Sequence, residues 1–320
     1  MESRGRQDLF TRQQPEVLSA LREQAMIQSS ESSNRIEGVT VSADRLRPIL
    51  LGKSAPRDRS EEELVGYRRA LNWIYTQKAA IEIEPRVIRL LHEMAQGSSG
   101  DAGKWKTRSN EIIEIQSGGE RRVRFVPTAV KDTPRMIEQL CLSFTDLAQH
   151  DEVPVLLSIS TFIFDFLCIH PFRDGNGRVS RLLTALLLQN HGFRVGRFIS
   201  LERLVEETKQ DYYDVLARCS ARWHDGKNEI IPWWNYSLGV LRHAYNDFER
   251  RVEGASPAGK SELVRQAVQR HPAPFTLSEI QQECPGTSPQ LIRKVLSKMK
   301  AEGTLRLTGH GRSARWQWVR

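Results

Sequence analysis

The feature that most limits how this chain can fold is a polar nine-residue segment held between two strongly apolar runs. The segment is His170-Pro-Phe-Arg-Asp-Gly-Asn-Gly-Arg178, and the runs are 154–169 and 179–190. The first run is too apolar for a surface helix, and Asp165 interrupts it, so it reads as a buried core helix and not as a membrane span. The loop is thus braced between two rigid supports. Pro171 ends the first helix. Gly175, Asn176 and Gly177 can adopt the unusual dihedrals that turn successive amide N–H groups inward. Those amides meet the N-terminus of the second helix, where the dipole favours an anion. Arg178 and Arg181 lie three apart, so they share a helical face and both can grip phosphate. Asp174 offers a hard oxygen suited to Mg²⁺. His170 is the group here that can exchange a proton near neutral pH. A glycine-rich loop alone is commonly structural, and a lone histidine at a helix end is commonly a cap. Together with an aspartate and two arginines at fixed offsets, they point to phosphoryl or nucleotidyl transfer.

The loop sits within a mostly helical chain of 320 residues, a length that favours two or three folding units. Residues 15–30 have helical composition, and Leu64, Tyr67, Leu71 and Ile74 mark one face of a helix over 61–76. Pro85 opens another helix. Two β-leaning runs around Gly118-Gly119, centred on Ile112–Ile115 and Val123–Val126, predict a hairpin. A lone hairpin is marginal in water, so it must pack on helices or be mobile. Helices are expected again over 134–150, 154–169, 179–190, 201–219 and 233–250, with Gly254–Gly259 as a linker. The start of the chain lacks an apolar secretory core. The four cysteines, Cys141, Cys168, Cys219 and Cys284, are scattered, which argues against a disulfide framework and for a reducing, cytoplasmic setting.

Charge is concentrated at the C-terminal end. Residues 258–320 hold 11 Lys/Arg and 4 Asp/Glu, so they carry +7 of the chain's net +8. A patch that compact suits a polyanion, although a plain solvated surface has the same composition. The grammar there is separate: a helix over 260–270, a capping box from Thr276 to Glu279, and an N-cap and first-turn proline at Ser288-Pro289. Strands over 304–308 and 314–319 follow. Three helices and a β-wing resemble the winged helix-turn-helix family. That resemblance implies DNA contact through 288–315, with Arg293, Lys294, Lys298 and Lys300 on the third helix and Arg312 and Arg315 on the wing. Protein docking is the alternative role for such a module.

The loop itself resembles the signature of the Fic family, H-P-F-x-[D/N]-G-N-G-R-x-x-R, at every specified position from His170 to Arg181. The resemblance implies a helical Fic core with a β-hairpin flap, followed here by the small winged-helix domain. It also implies transfer of AMP from ATP to a Ser, Thr or Tyr hydroxyl of a target protein, or of the chain itself. By position, His170 is then the base and Asp174 the Mg²⁺ ligand. Gly175, Asn176, Gly177 and Arg178 hold phosphates, and Arg181 meets the γ-phosphate. The 111–126 hairpin would dock the target. Ser33-Asn-Arg-Ile-Glu37-Gly38 is similar to the family's inhibitory motif, which implies that Glu37 pairs with Arg181, removes the γ-phosphate's partner and misplaces ATP. Tyr212 and Tyr213 resemble the family's adenine-side tyrosines, with Ser220 where asparagine is common.

The expected domains are 1–98 with the inhibitory helix, a core over 99–250, a linker over 251–259 and the module over 260–320. The rival reading is a DNA-binding regulator whose Fic domain senses nucleotide or is inactive. Removal of AMP, and a homodimer, are left open.

Overall fold

The computed structural model describes residues 15–115, 121–150, 153–255, 257–271, 274–284, 287–309 and 314–319. The chain divides into two compact units, one built mainly from Leu18–Phe248 and the other mainly from Glu249–Arg320, with Pro15–Val17 grouped with the second.

The first unit is helical. Helices α1 (Pro15–Ile36), α2 (Ala43–Leu50), α3 (Arg59–Thr76) and α4 (Pro85–Gln96) precede a two-stranded hairpin, β1 (Ile112–Ile115) and β2 (Arg121–Phe125). Helices α5 (Thr133–His150), α6 (Val155–Ile169), α7 (Asn176–Asn190), α8 (Leu201–Glu207), α9 (Lys209–Ser220) and α10 (Ile231–Ala255) follow. Helix α7 lies at the centre, packed on α3, α4 and α6. Its Val179, Leu182, Leu183, Leu186 and Leu187 are fully buried. Burying a side chain of that size stabilises by about 1.5–3 kcal/mol, so this helix organises the core. Helices α3 and α4 are in close contact at Gly66, where a Cβ would collide with the Met94 carbonyl.

The structure refines several boundaries. Helix α7 begins at Asn176, three residues before the apolar pattern shows it, because Gly175 supplies the left-handed N-cap, with φ 78°. The helix expected over 201–219 is two helices, broken at Thr208, whose hydroxyl donates to the Leu204 carbonyl. Helix α2, with Pro48 inside it, was not anticipated. The hairpin is antiparallel, pairing Ile113 with Val123 and carrying a register shift beside Ile112. Its Gly118-Gly119 turn lies outside the described residues. The hairpin is anchored: Phe125 stacks on His224 with ring centroids 5.5 Å apart, and His224 Nε2 lies 2.8 Å from the Val126 carbonyl oxygen.

The second unit contains α11 (Pro257–Gln269), α12 (Leu277–Glu283), α13 (Pro289–Ala301) and the antiparallel pair β3 (Leu305–Thr308) and β4 (Arg315–Trp318). Its own core gathers Val268, Phe275, Ile280, Ile292, Leu296 and Leu305. The Thr276–Glu279 capping box is formed in both directions. Arg293, Lys294, Lys298, Lys300 and Arg315 are exposed, and Arg312 lies outside the described residues. The linker expected over 251–259 is instead helical on both sides of residue 256, which is itself undescribed, because a proline is compatible with the first turn of α11. Among the described residues no helix is long and apolar enough to cross a membrane.

The Gly66 contact yields a stability prediction. Gly66→Val should force α3 from α4, cost about 2 kcal/mol and lower Tm by roughly 4–8 °C. Calorimetry measures the shift, and an unchanged Tm would mean the crossing is loose.

Candidate active site

The loop between α6 and α7 is closed by its own side chains. His170 ends α6 in the left-handed region, at φ 52° and ψ 61°, an uncommon conformation for a residue with a Cβ. The segment before the hairpin holds it there. Lys106 is buried, and its Nζ donates to the Ile169 carbonyl and to Asn110 Oδ1, each at 3.1 Å. The Lys106 backbone N–H donates to the Pro171 carbonyl at 2.8 Å. Burial pulls the Lys106 ammonium down to about 8. Asn176 then staples the loop: its Oδ1 accepts from the Phe172 N–H at 2.9 Å and its Nδ2 donates to the Phe172 carbonyl at 2.8 Å. The side chain of Asn176 is thus used internally, and only its backbone amide remains for an anion.

His170 Nδ1 lies 3.2 Å from the Leu167 carbonyl oxygen. Donation to that oxygen puts the proton on Nδ1 and leaves Nε2 with a free lone pair. Burial lowers the imidazole to about 4, and the Leu167 carbonyl and the Glu37 and Asp174 charges offset this only in part. A neutral imidazole with a free Nε2 can accept a proton throughout the neutral range.

The two arginines expected to share phosphate duty face different partners. Arg178 is 1% exposed, and its Nη1 lies 2.5 Å from Glu63 Oε2, itself buried on α3. In this structure the charge of Arg178, expected to hold phosphate, is answered by Glu63 inside the core. Arg59 joins the cluster, with Nε 2.7 Å from Glu63 Oε1 and Nη2 3.0 Å from Asp174 Oδ2. Arg181 turns toward α1. Its Nε donates to Ser33 Oγ at 2.9 Å, and its Nη2 donates to the Ser33 carbonyl at 2.9 Å and to Glu37 Oε1 at 2.8 Å. Burial opposes the Arg181 charge, but the Glu37 carboxylate, Tyr67 and Tyr212 together more than offset it and raise the guanidinium above its ordinary value.

Glu37 is the C-cap of α1 within a Schellman turn. Val39 N–H bonds to the Asn34 carbonyl and Gly38 N–H to the Arg35 carbonyl, with Gly38 at φ 81°. The turn aims the Glu37 carboxylate at Gly177, where any Cβ would collide with it. The carboxylate therefore lies on the first turn of α7, the position where a helix N-terminus attracts an anion. The glycine at 177 is needed for space, not for an unusual dihedral: only Gly175 of the Gly-Asn-Gly run has positive φ.

A cleft of about 500 Å³ opens over this point. Glu37, His170, Gly177, Tyr212, Tyr213 and Ser220 line it together with the hairpin residues Ile112, Ile113, Arg124 and Phe125. The adenine-side candidates and the base therefore share one space. Asp174, which does not line the cleft, is 55% exposed, with Oδ1 accepting from the Gly175 N–H at 2.7 Å. Among the described residues no three His, Cys, Asp or Glu side chains converge as a metal cage. A single half-exposed carboxylate beside an anion nest does fit Mg²⁺, which takes its remaining ligands from phosphate and water.

Glu63 and His92 were not anticipated. His92 accepts from the Gly103 N–H at Nδ1, 2.9 Å, which leaves Nε2–H to donate to the Asp174 carbonyl at 3.0 Å, and it stacks on Phe172 at 3.7 Å. Burial lowers it to about 4 and keeps it neutral. A signal for both was present. Each polar residue stands on an apolar helical stripe, Glu63 with Tyr67, Ala70 and Ile74, and His92 with Ile88 and Ala95. A polar group on a buried stripe announces a partner.

Known proteins resemble this chain in sequence and in fold. Residues 82–188 match the family model of the Fic/DOC family. The chain is 28% identical over 211 residues to Protein adenylyltransferase Fic of Nematostella vectensis, covering 60% of this chain and 43% of that protein. It is 24% identical over 223 residues to Protein adenylyltransferase fic-1 of Caenorhabditis elegans, covering 68% and 39%. The chain thus spans about two fifths of the length of these curated relatives. Among solved structures, a Fic family protein from Desulfovibrio desulfuricans aligns with TM-score 0.59 at 18% identity, covering 93% of this chain and 87% of that one. A Fic domain containing signaling protein from Bacteroides thetaiotaomicron aligns with TM-score 0.64 at 22% identity, covering 75% and 91%. The helical fold is that of the Fic proteins.

The buried ion pair can be weighed directly. Glu63→Ala should strand the Arg178 charge and cost about 3 kcal/mol in urea unfolding, whereas adding Arg178→Met should recover much of the loss. Additive losses would show that the two side chains do not depend on each other.

Proposed function

We propose that this chain is a protein adenylyltransferase held in check by its own α1 helix. The observation that carries the reading is the position of Glu37. Its carboxylate pairs with Arg181 and lies on the first turn of α7, inside the cleft that also contains His170. An anionic side chain already occupies the place an anionic substrate would take.

With Glu37 withdrawn, the free amides at the start of α7 and the Arg181 guanidinium receive the ATP phosphates. Arg181 Nη1 has no hydrogen-bond partner among the described residues, so a donor stands ready in addition to those that Glu37 and Ser33 use. Asp174 would hold Mg²⁺, which would supply charge neutralisation on the phosphates. The base packs toward Tyr212 and Tyr213, with Ser220 as a short polar contact. A target segment pairs with the exposed edge of the hairpin, where Ile113 and Val123 are about half exposed. The target hydroxyl attacks the α-phosphorus, a new O–P bond forms, and the bond to the bridging oxygen breaks as pyrophosphate leaves. His170 Nε2 takes the hydroxyl proton. Positioning and charge compensation supply most of the rate. Self-labelling is the simplest assay of the reaction.

The second unit contributes DNA-backbone binding on this reading, through the exposed Arg293, Lys294, Lys298 and Lys300 of α13. DNA retention should fall steeply between 50 and ~200 mM salt, and Lys294→Glu with Lys298→Glu should abolish it. Salt-independent retention would assign the contact to something other than phosphate.

Incubation with α-labelled ATP and Mg²⁺ tests the enzyme. Glu37→Gly should raise protein labelling at least tenfold, equivalent to about 1.4 kcal/mol. His170→Ala in that background should remove the labelling. Because His170 is held near 4, kcat/KM of the Glu37→Gly enzyme should stay flat as pH falls through 6.5 and decline only on approaching 4. Labelling indifferent to both substitutions would end the proposal.

A further inference from the structure

A second groove, of about 720 Å³, runs between α1 and α3 and shares no lining residue with the catalytic cleft. Arg22 and Glu23 come from its α1 wall, Arg68 and Arg69 from α3, and Arg197 from the turn after α7. Four guanidiniums therefore face a single carboxylate. Arg68 and Arg69 have no hydrogen-bond or ion-pair partner among the described residues. Arg197 is half-buried, and among the described residues its hydrogen bonds go to neutral acceptors, the Tyr75 carbonyl at 2.7 Å and Gln189 Oε1 at 2.9 Å. Burial, and then the like charges of Arg22 and Arg194, pull Arg197 below its ordinary value. Arg22 is held over the adjoining Phe198 ring, 5.3 Å from its centroid, so it stays near Arg197 instead of swinging away into water.

Like charges gathered in a concave, partly apolar site raise the local potential, and guanidinium forks match phosphate oxygens. One monoanion could not answer four cations drawn from three segments. We propose that this groove binds a small polyphosphate, with two or three linked phosphates bridging Arg22 of α1 to Arg68, Arg69 and Arg197 of the core. The bridge would hold α1 on the core, and α1 ends in the Ser33–Glu37 brake. Without the anion, Arg22 is repelled by the other three, and release of α1 is favoured. The effect on activity rests on the autoinhibition proposed above, whereas the binding and the holding of α1 do not.

Inorganic tripolyphosphate is the probe, titrated calorimetrically into the full chain and into Arg68→Ala/Arg69→Ala, whose Tm is measured alongside. The expected result is at least tenfold weaker binding in the double variant at unchanged Tm. Equal affinity in both proteins would overturn the site. Hydrogen exchange of amides 29–37 should slow with tripolyphosphate in the wild type and not in the double variant. Unaltered exchange in the wild type would overturn the bridging of α1. Both readouts stand even if the chain labels no protein. Replacing tripolyphosphate by ATP or pyrophosphate then separates a nucleotide from a simple phosphate chain as the source of the ligand.

Discussion

Helix α7 brings two buried arginines, Arg178 and Arg181, to an end that is already positive by virtue of its dipole. Such an arrangement is stable only if negative groups gather there, and the surrounding structure supplies them. Glu63 reaches in from α3, Asp174 precedes the helix, and Glu37 descends from α1. The requirement explains why segments far apart in the chain converge on one helical turn. It also separates permanent from replaceable charge. Glu63 is buried and serves Arg178 inside the core, whereas Glu37 is 27% exposed and borders an open cleft. A phosphate could take over the work of Glu37 but not that of Glu63.

The loop geometry follows from the same economy of partners. Its polar side chains are largely spent on the loop itself: Asn176 on Phe172, and Lys106 on Ile169 and Asn110. Contacts from α3, α4 and the segment before β1 hold the loop from behind, so the nest is rigid before any ligand arrives. Preorganised amides of this kind need little rearrangement to meet developing charge.

Much of this was legible from the chain alone. The apolar runs around the loop identified the core helices, and Ser33 and Glu37 did meet Arg181. What local pattern could not give was the direction of side chains across the core. Arg178 and Arg181 are three apart, yet one faces α3 and the other α1, because the first turn of α7 is surrounded on more than one side. The start of α7 lies earlier than the apolar pattern indicates because Asn176 and Gly177 are helical through the local cap at Gly175 and the Asn176–Phe172 hydrogen bonds, not through an apolar period. Glu63 and His92 carried a readable clue, a polar residue on an apolar stripe, but no local rule names their partners.

The C-terminal half of α1 is an odd surface to bury. Ser29, Ser30, Ser32, Ser33 and Asn34 are all 2% exposed or less, while Leu18, Leu21 and Ala25 anchor the first half. Ser29 donates to Glu202 at 2.6 Å, and Arg35 reaches Glu206 at 2.7 Å. Peeling that half from the core would wet mainly hydroxyls and amides, with Ile27 and Ile36 as its buried apolar side chains. Its heat-capacity increment would be small, because exposed polar surface offsets the contribution of apolar surface. Undocking would then vary little with temperature and open little apolar surface, two properties that would suit the reversible brake proposed above.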